Sequence, residues 1–103
     1  MTDLTMENYR NEVEASERPV LIDFYAERCG SCRALAPTLE ALDADFGASC
    51  KFCRVDVDAQ ETLTRKFGIL SVPTLVLLQG GEVQQRIRGA RGREDILRIL
   101  NLR

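Results

Sequence analysis

Asp23-Phe24-Tyr25-Ala26-Glu27-Arg28-Cys29-Gly30-Ser31-Cys32 is the stretch on which the reading of this chain turns. An apolar run, Val20-Leu21-Ile22, leads into it, and a helical pattern opens at the second cysteine. A strand, then two cysteines separated by two residues, then a helix, puts a dithiol at a helix N-terminus. Unpaired N–H groups and the positive end of the macrodipole favour a thiolate over a thiol there. Disulfide exchange at neutral pH needs a thiol of lowered pKa, so the stretch points to redox chemistry.

Outward from it, Val20 to Tyr25 does not alternate and reads as a strand buried on both faces, with Asp23 the anomaly inside it. After Cys32 an apolar stripe of Leu35, Leu39, Leu42 and Phe46 predicts a helix, kinked by Pro37 and stopped at Gly47. Phe52 to Asp58 alternates and reads as a second central strand. Asp58 and Glu61 resemble a capping box for a short helix carrying Leu63 and Phe67, closed by Gly68. Thr74 to Leu78 is a third strand, and Gln79-Gly80-Gly81-Glu82 a hairpin turn into a polar edge strand, Val83 to Arg88. Gly92 caps a last helix that buries Ile96, Ile99 and Leu100. At the other end Thr5 caps a short helix with Met6, Tyr9 and Val13 on one face. Strands alternating with helices and finished by a hairpin give an α/β fold, a mixed sheet with helices on both sides.

Length and composition narrow the function. A chain of 103 residues is one domain, 1–103, able to bury a core without staples. The net charge of −2 gives no case for nucleic acid as a partner. There is no histidine, which removes imidazole acid–base catalysis and the commonest zinc ligand. Met1-Thr2-Asp3-Leu4-Thr5 is acidic without an apolar core, so no secretory signal is expected. The run Leu75 to Leu78 is too short to cross a membrane. The compartment expected is therefore the reducing cytoplasm, where four cysteines serve as catalytic, metal-binding or buried thiols rather than structural disulfides.

Cys29, Cys32, Cys50 and Cys53 do form a C-x2-C-x17-C-x2-C spacing that fits a zinc ribbon. Geometry argues against it. A helix of roughly a dozen residues, about 18 Å long, lies between the pairs. Cys50 and Cys53, if both in the strand, sit about 10 Å apart along it and point to opposite faces. No metal is expected, and these two cysteines read as packing thiols, with a redox-regulatory Cys50 the less favoured alternative.

The chain resembles the thioredoxin family over Leu4 to its C-terminus. The resemblance rests on Asp23-Phe24-Tyr25-Ala26-Glu27, Cys29-Gly30-Ser31-Cys32, Ala36-Pro37, Val55-Asp56-Val57-Asp58, Phe67-Gly68-Ile69, Val72-Pro73-Thr74, Gly81-Glu82-Val83 and Gly89-Ala90. It implies the thioredoxin fold, a central mixed sheet of four to five strands flanked by four helices, with the dithiol at the start of the second helix and a cis Val72–Pro73 bond facing it. It implies a protein disulfide oxidoreductase without a cofactor, acting as a monomer on disulfide-containing protein substrates. A flavin-dependent thioredoxin reductase would supply its electrons.

Residue by residue, the resemblance makes Cys29 the attacking thiolate and Cys32 the resolving thiol, the pair cycling between dithiol and disulfide. Asp23 becomes the acid–base group for Cys32. Burial raises a carboxyl pKa, which suits that role. Arg54 matches the family's buried lysine beside this aspartate; a bidentate pair with Asp23 would pull the pKa down again, and the sequence leaves open which effect wins. Gly30, Ser31, Val57, Ser71, Val72, Pro73 and Gly89 would form the substrate groove, with the Val72 backbone turned outward to pair with an extended chain.

Three departures concern specificity. The chain has no tryptophan, and Arg28 stands where the family has one. Ser31 replaces the family's proline. A hydroxyl and a cation beside Cys29 both stabilise the thiolate and make the couple less reducing. Arg88 takes the place of an apolar groove residue, with Arg91 and Arg93 nearby, a basic rim suited to acidic partners. The alternatives are a more oxidising oxidase or isomerase and a thioredoxin-fold binding subunit whose thiols are idle.

Overall fold

In the computed structural model, which describes residues 1–102, the chain runs through β1 (Thr2–Asp3), one π-helical turn (Arg10–Glu14), β2 (Val20–Tyr25), α1 (Gly30–Phe46), β3 (Lys51–Asp56), α2 (Glu61–Lys66), β4 (Thr74–Gln79), β5 (Glu82–Arg88) and α3 (Arg93–Leu100). The strands form one mixed sheet in the order β1-β3-β2-β4-β5. β1, β3 and β2 are parallel; β4 is antiparallel to β2, and β5 to β4. This is the thioredoxin fold.

β2 lies in the middle, and its first five residues are all buried. Alternate side chains enter different layers. Val20, Ile22 and Phe24 join Leu4, Tyr9, Val13, Leu63 and Phe67 under the π-turn segment and α2. Leu21 joins Leu35, Leu39, Leu42 and Ile96 under α1 and α3. By the same parity Asp23 shares the face of Leu21, the α1 side. A strand covered on both faces has no polar side to alternate, which is why its sequence is an unbroken apolar run.

β1 was not visible in the sequence: two residues carry no periodicity, and the register Thr2↔Cys53, Asp3↔Arg54 supplies the pairing. The N-terminal helix reduces to one π-turn that buries Tyr9 and Val13 but leaves Met6 exposed, because the chain from Met6 to Asn8 is still in turns. α1 starts at Gly30, before the second cysteine, and passes Pro37 without ending. The capping box at Asp58 does not form. Gln60 is the N-cap of α2, and it is the Asp56 carboxylate that accepts from the Asp58 and Ala59 amides. The hairpin turn forms as expected, with Gly80 and Gly81 at φ +59° and +82°, a pair of positive angles that a two-residue hairpin demands.

Cys50 and Cys53 are buried on opposite sides of the sheet, one in each apolar cluster. Burial pushes their thiols up to about 11 and about 12, so both stay protonated at neutral pH. Packing thiols fit this placement; a redox-regulatory Cys50 does not, since oxidation needs an accessible thiolate. Among the described residues no helix is long and apolar enough to cross a membrane.

Leu39 of α1 is fully buried against the sheet. Leu39→Ala is expected to cost about 2–5 kcal/mol in urea unfolding, with an unchanged m-value. A loss below about 1 kcal/mol would mean that α1 is not clamped to the sheet as described.

Candidate active site

Cys29, at the end of the turn between β2 and α1, and Cys32, in the first turn of α1, are joined as a disulfide. Cys29 is the N-cap of α1, and its Sγ accepts from the Cys32 amide at 3.1 Å. A sulfur therefore occupies the position where an oxygen usually satisfies the first free N–H groups of a helix. The Ser31 hydroxyl lies 3.4 Å from the same sulfur. Cys29 is half-buried, whereas Cys32, one turn further in, is buried. The outer sulfur can be reached by a partner and the inner one cannot.

Opposite the disulfide, the Val72–Pro73 bond is cis, and the Val72 carbonyl oxygen stands 3.8 Å from Cys29 Sγ. Two contacts brace this loop. The buried Thr74 hydroxyl donates to the Ser71 carbonyl at 2.6 Å, and the Gly89 amide donates to the Pro73 carbonyl at 2.9 Å. Gly89 has φ +85°, an angle that disfavours any side chain. Arg88, just before it, pairs in register with Thr74 across the sheet.

Arg28, Val57, Ser71 and Val72 line one cavity of about 200 Å³ beside the disulfide. Sequence reasoning missed the other wall, Thr64, Ile69 and Leu70. Leu70 is 86% exposed, a large apolar side chain set in water next to the redox pair. An apolar residue in the loop between Gly68 and Pro73 was the available signal. Gly30, Ser31, Pro73, Arg88 and Gly89 lie outside this cavity.

Arg28 differs from expectation. Its guanidinium donates to the Asp58 carboxylate instead of standing alone beside Cys29. Its charge is thus matched locally, and its pull on the thiolate is weaker than an isolated cation would exert. The basic rim is thinner too: Arg93 pairs with Asp45 at 2.7 Å, while Arg88 and Arg91 make no ion pair among the described residues.

Behind the disulfide lies a second cavity, of about 350 Å³, bounded by Asp23, Cys32, Ala36 and Arg54. It is roomy enough for water. Tyr25, Ala26, Glu27 and Arg33 complete its wall, none of them singled out by the sequence as site residues. Asp23 is buried, and its Oδ1 has no hydrogen-bond partner among the described residues. Burial pushes its carboxyl up to about 6, against a smaller opposing pull from Arg54. Desolvation is the larger effect, and no bidentate Asp23–Arg54 pair forms among the described residues. Arg54 bonds elsewhere, with its Nε 2.5 Å from Asp3 Oδ1 and its guanidinium over the Tyr25 ring at 5.3 Å.

Cys50 and Cys53, on opposite faces of the sheet, cannot join the catalytic pair around one ion. Among the described residues no group of three or more histidine, cysteine or acidic side chains is placed to hold a metal.

The sequence model of the family described as Thioredoxin matches residues 1–101. A thioredoxin of Streptomyces clavuligerus is 39% identical over 98 residues, covering 95% of this chain and 91% of the relative. A thioredoxin of Bacillus subtilis is 40% identical over 88 residues, 85% of each chain. A bifunctional thioredoxin reductase/thioredoxin of Mycobacterium leprae is 36% identical over 99 residues, which are 96% of this chain and 22% of that protein.

A carboxyl held at about 6 in the fold and near its ordinary 3.8 when unfolded binds more protons folded than unfolded between those values. Stability therefore falls as pH rises from about 4 to about 6, by about 3 kcal/mol in all, and stays lower above that. Asp23→Asn removes this titration. The oxidised variant is expected to gain roughly 2–2.5 kcal/mol on the wild type between pH 4 and pH 8 in urea unfolding. A stability difference that is flat with pH would show that Asp23 is not held in its raised state.

Proposed function

The chain belongs to the thioredoxin family and is a thiol–disulfide oxidoreductase, and on that basis we propose the division of labour within its site. Cys29 is the nucleophile. The observation that carries this is the sulfur cap: the Cys32 amide lies 3.1 Å from Cys29 Sγ in the disulfide, placed to stabilise a thiolate there, at the positive end of α1, once the pair is reduced. The Cys29 thiolate attacks a substrate disulfide, forms a Cys29–substrate disulfide and releases the first substrate sulfur as a thiolate. Cys32 then attacks Cys29 Sγ. The second substrate sulfur leaves, and the Cys29–Cys32 disulfide closes. The Cys32 proton passes to Asp23 across their shared cavity, and returns when the disulfide is next reduced.

The substrate is a protein segment that lays its disulfide against the Val72 carbonyl in extended form, between the apolar wall of Val57, Val72 and Leu70 and the Gly30, Ser31, Pro73 and Gly89 side. Arg88 gives that groove a basic end suited to acidic segments. Electrons come from a thioredoxin reductase. The Mycobacterium leprae relative, which by its name combines the two activities in one chain, supports that partner. The proposed setting is the reducing cytoplasm and the proposed working form a monomer.

A more oxidising poise is the second reading, favoured by the Ser31 hydroxyl 3.4 Å from Cys29 Sγ. A donor to the thiolate stabilises the reduced form and raises the potential.

Cys29→Ser is expected to abolish disulfide reduction. Cys32→Ser is expected to retain the first attack and accumulate a covalent Cys29–substrate adduct, visible by non-reducing electrophoresis and lost with dithiothreitol. Absence of the adduct, with the fold intact, would overturn the assignment of nucleophile and resolving thiol. Equilibration in a glutathione buffer, on a Cys50→Ser/Cys53→Ser background, reads the poise. Ser31→Ala should lower the potential by roughly 10–30 mV, up to a tenfold change in the exchange constant. An unchanged potential would remove the hydroxyl from the argument.

A further inference from the structure

We propose that Asp3 is a positioning residue for the acid–base group of this site: it holds the Arg54 guanidinium off Asp23 and leaves the buried carboxyl unpaired in its cavity. The inference rests on the role given above to Asp23.

The argument begins with register. Asp3 of β1, Arg54 of β3 and Asp23 of β2 are successive partners in one row across three parallel strands. Partners in register project to the same face, with neighbouring strands about 4.8 Å apart. Arg54 therefore stands between two carboxylates, one on either side. Its guanidinium has donors enough for both. It serves only one: Nε lies 2.5 Å from Asp3 Oδ1, while Asp23 Oδ1 has no partner.

Solvation explains the choice. The Asp3 side chain is 68% exposed and Arg54 38%, so both charges keep much of their water when they pair. Pairing with Asp23, at 4% exposure, would take both charges further out of water, so Arg54 gains less there than from the exposed Asp3. Asp3 is also held in place. The amide of the buried Leu4 donates to the Arg54 carbonyl at 2.9 Å, and the Asn8 side chain donates to the Asp3 carbonyl at 2.9 Å. The two-residue strand thus delivers a carboxylate to the outer side of Arg54.

Among the groups around Asp23, the Tyr25 ring also meets the Arg54 guanidinium, at 5.3 Å, but it is uncharged, and among the described residues only Asp3 is ion-paired to Arg54. β4 presents Leu75 in register with it. Tyr25 and Glu27 follow it in the chain at the cavity wall, and α1 contributes Cys32 and Arg33 to that wall, with Glu40 acting on Arg54. The Arg33 guanidinium is bound to the Glu27 carbonyl at 2.5 Å. Arg54 is the cation whose field reaches Asp23, and Asp3 is the group bonded to it. Removing the Asp3 charge frees Arg54 to turn inward, which stabilises the Asp23 carboxylate and weakens it as a proton acceptor for Cys32.

The test uses the full-length oxidised protein, in which Cys32 does not titrate. The side-chain carboxyl carbon of Asp23 is followed by NMR through a pH titration. Asp3→Asn is expected to lower the Asp23 midpoint by roughly one pH unit or more. Asp3→Glu should restore it. On an Arg54→Gln background, Asp3→Asn should leave the midpoint where Arg54→Gln puts it. An unmoved midpoint in Asp3→Asn overturns the proposal, and so does a fall that persists without Arg54, which would be a direct field of Asp3. Asp3→Ser serves the same comparison if the asparagine variant does not keep native dispersion. The role of Asp23 itself is judged separately, by the pH–rate profile of substrate reduction. An Asp23→Asn profile identical to the wild type would overturn that role, while the NMR midpoints still decide whether Asp3 governs Arg54.

Discussion

The layered burial of β2 is the constraint from which the site follows. With helices on one face and the π-turn segment and α2 on the other, each β2 side chain is committed to a layer by its parity. Asp23 falls on the α1 face, directed to the layer that holds Cys32. A shift of one residue would carry the carboxyl to the opposite layer and put Phe24 beneath the redox turn. The apolar residues on either side of Asp23 therefore do more than fill space. They fix the register that keeps an acid beside a buried thiol.

The same strand ends where the chain turns into α1, and there the helix lacks partners for its first amides. Serine, threonine or aspartate usually fills that vacancy. Here a cysteine sulfur does, and the arrangement links stability of the helix end to the redox state of the sulfur. A thiolate accepts hydrogen bonds more strongly than a thiol or a disulfide sulfur, so the helix terminus favours the reactive form. The neighbouring Ser31 hydroxyl adds to this. Arg28, by contrast, has its charge matched by Asp58, an exposed pair of small energetic weight that shapes the rim of the groove more than the potential.

Behind the disulfide, two opposing effects meet at Asp23. Burial raises its pKa and Arg54 lowers it, with burial the larger. The balance depends on where one guanidinium points, and it points at Asp3. Without a donor to Oδ1, the carboxyl titrates within reach of neutral pH, where a proton can be taken up and given back. A tighter Asp23–Arg54 pair would hold the carboxylate ionised.

Much of this was legible in the amino-acid order. The unbroken run Val20 to Tyr25 announced a strand covered on both faces, Gly80-Gly81 a tight hairpin, and Cys29-Gly30-Ser31-Cys32 before an apolar stripe a dithiol at a helix start. These are local patterns, and local sterics and periodicity decide them. Cys50 and Cys53 lie on opposite sides of the sheet, as their spacing would give within a strand, although Cys50 sits just before β3. What was not legible depends on partners distant in the chain. β1 exists only because β3 offers it a ladder, so two residues without pattern became a strand. Asp58, expected to cap α2, instead meets an arginine thirty positions earlier. Leu70 became a wall of the groove because the loop before Pro73 folds back beside the disulfide. Whether Arg54 pairs with Asp23 was left open by the sequence; it lies on Asp3, since exposed charges pair at a lower desolvation cost than buried ones. The sequence by itself determined the four longer strands, the helices α1 to α3, their order, and a dithiol at a helix start. Only the tertiary structure decided which charges meet, because that choice depends on solvent exposure and on register between strands far apart in the chain.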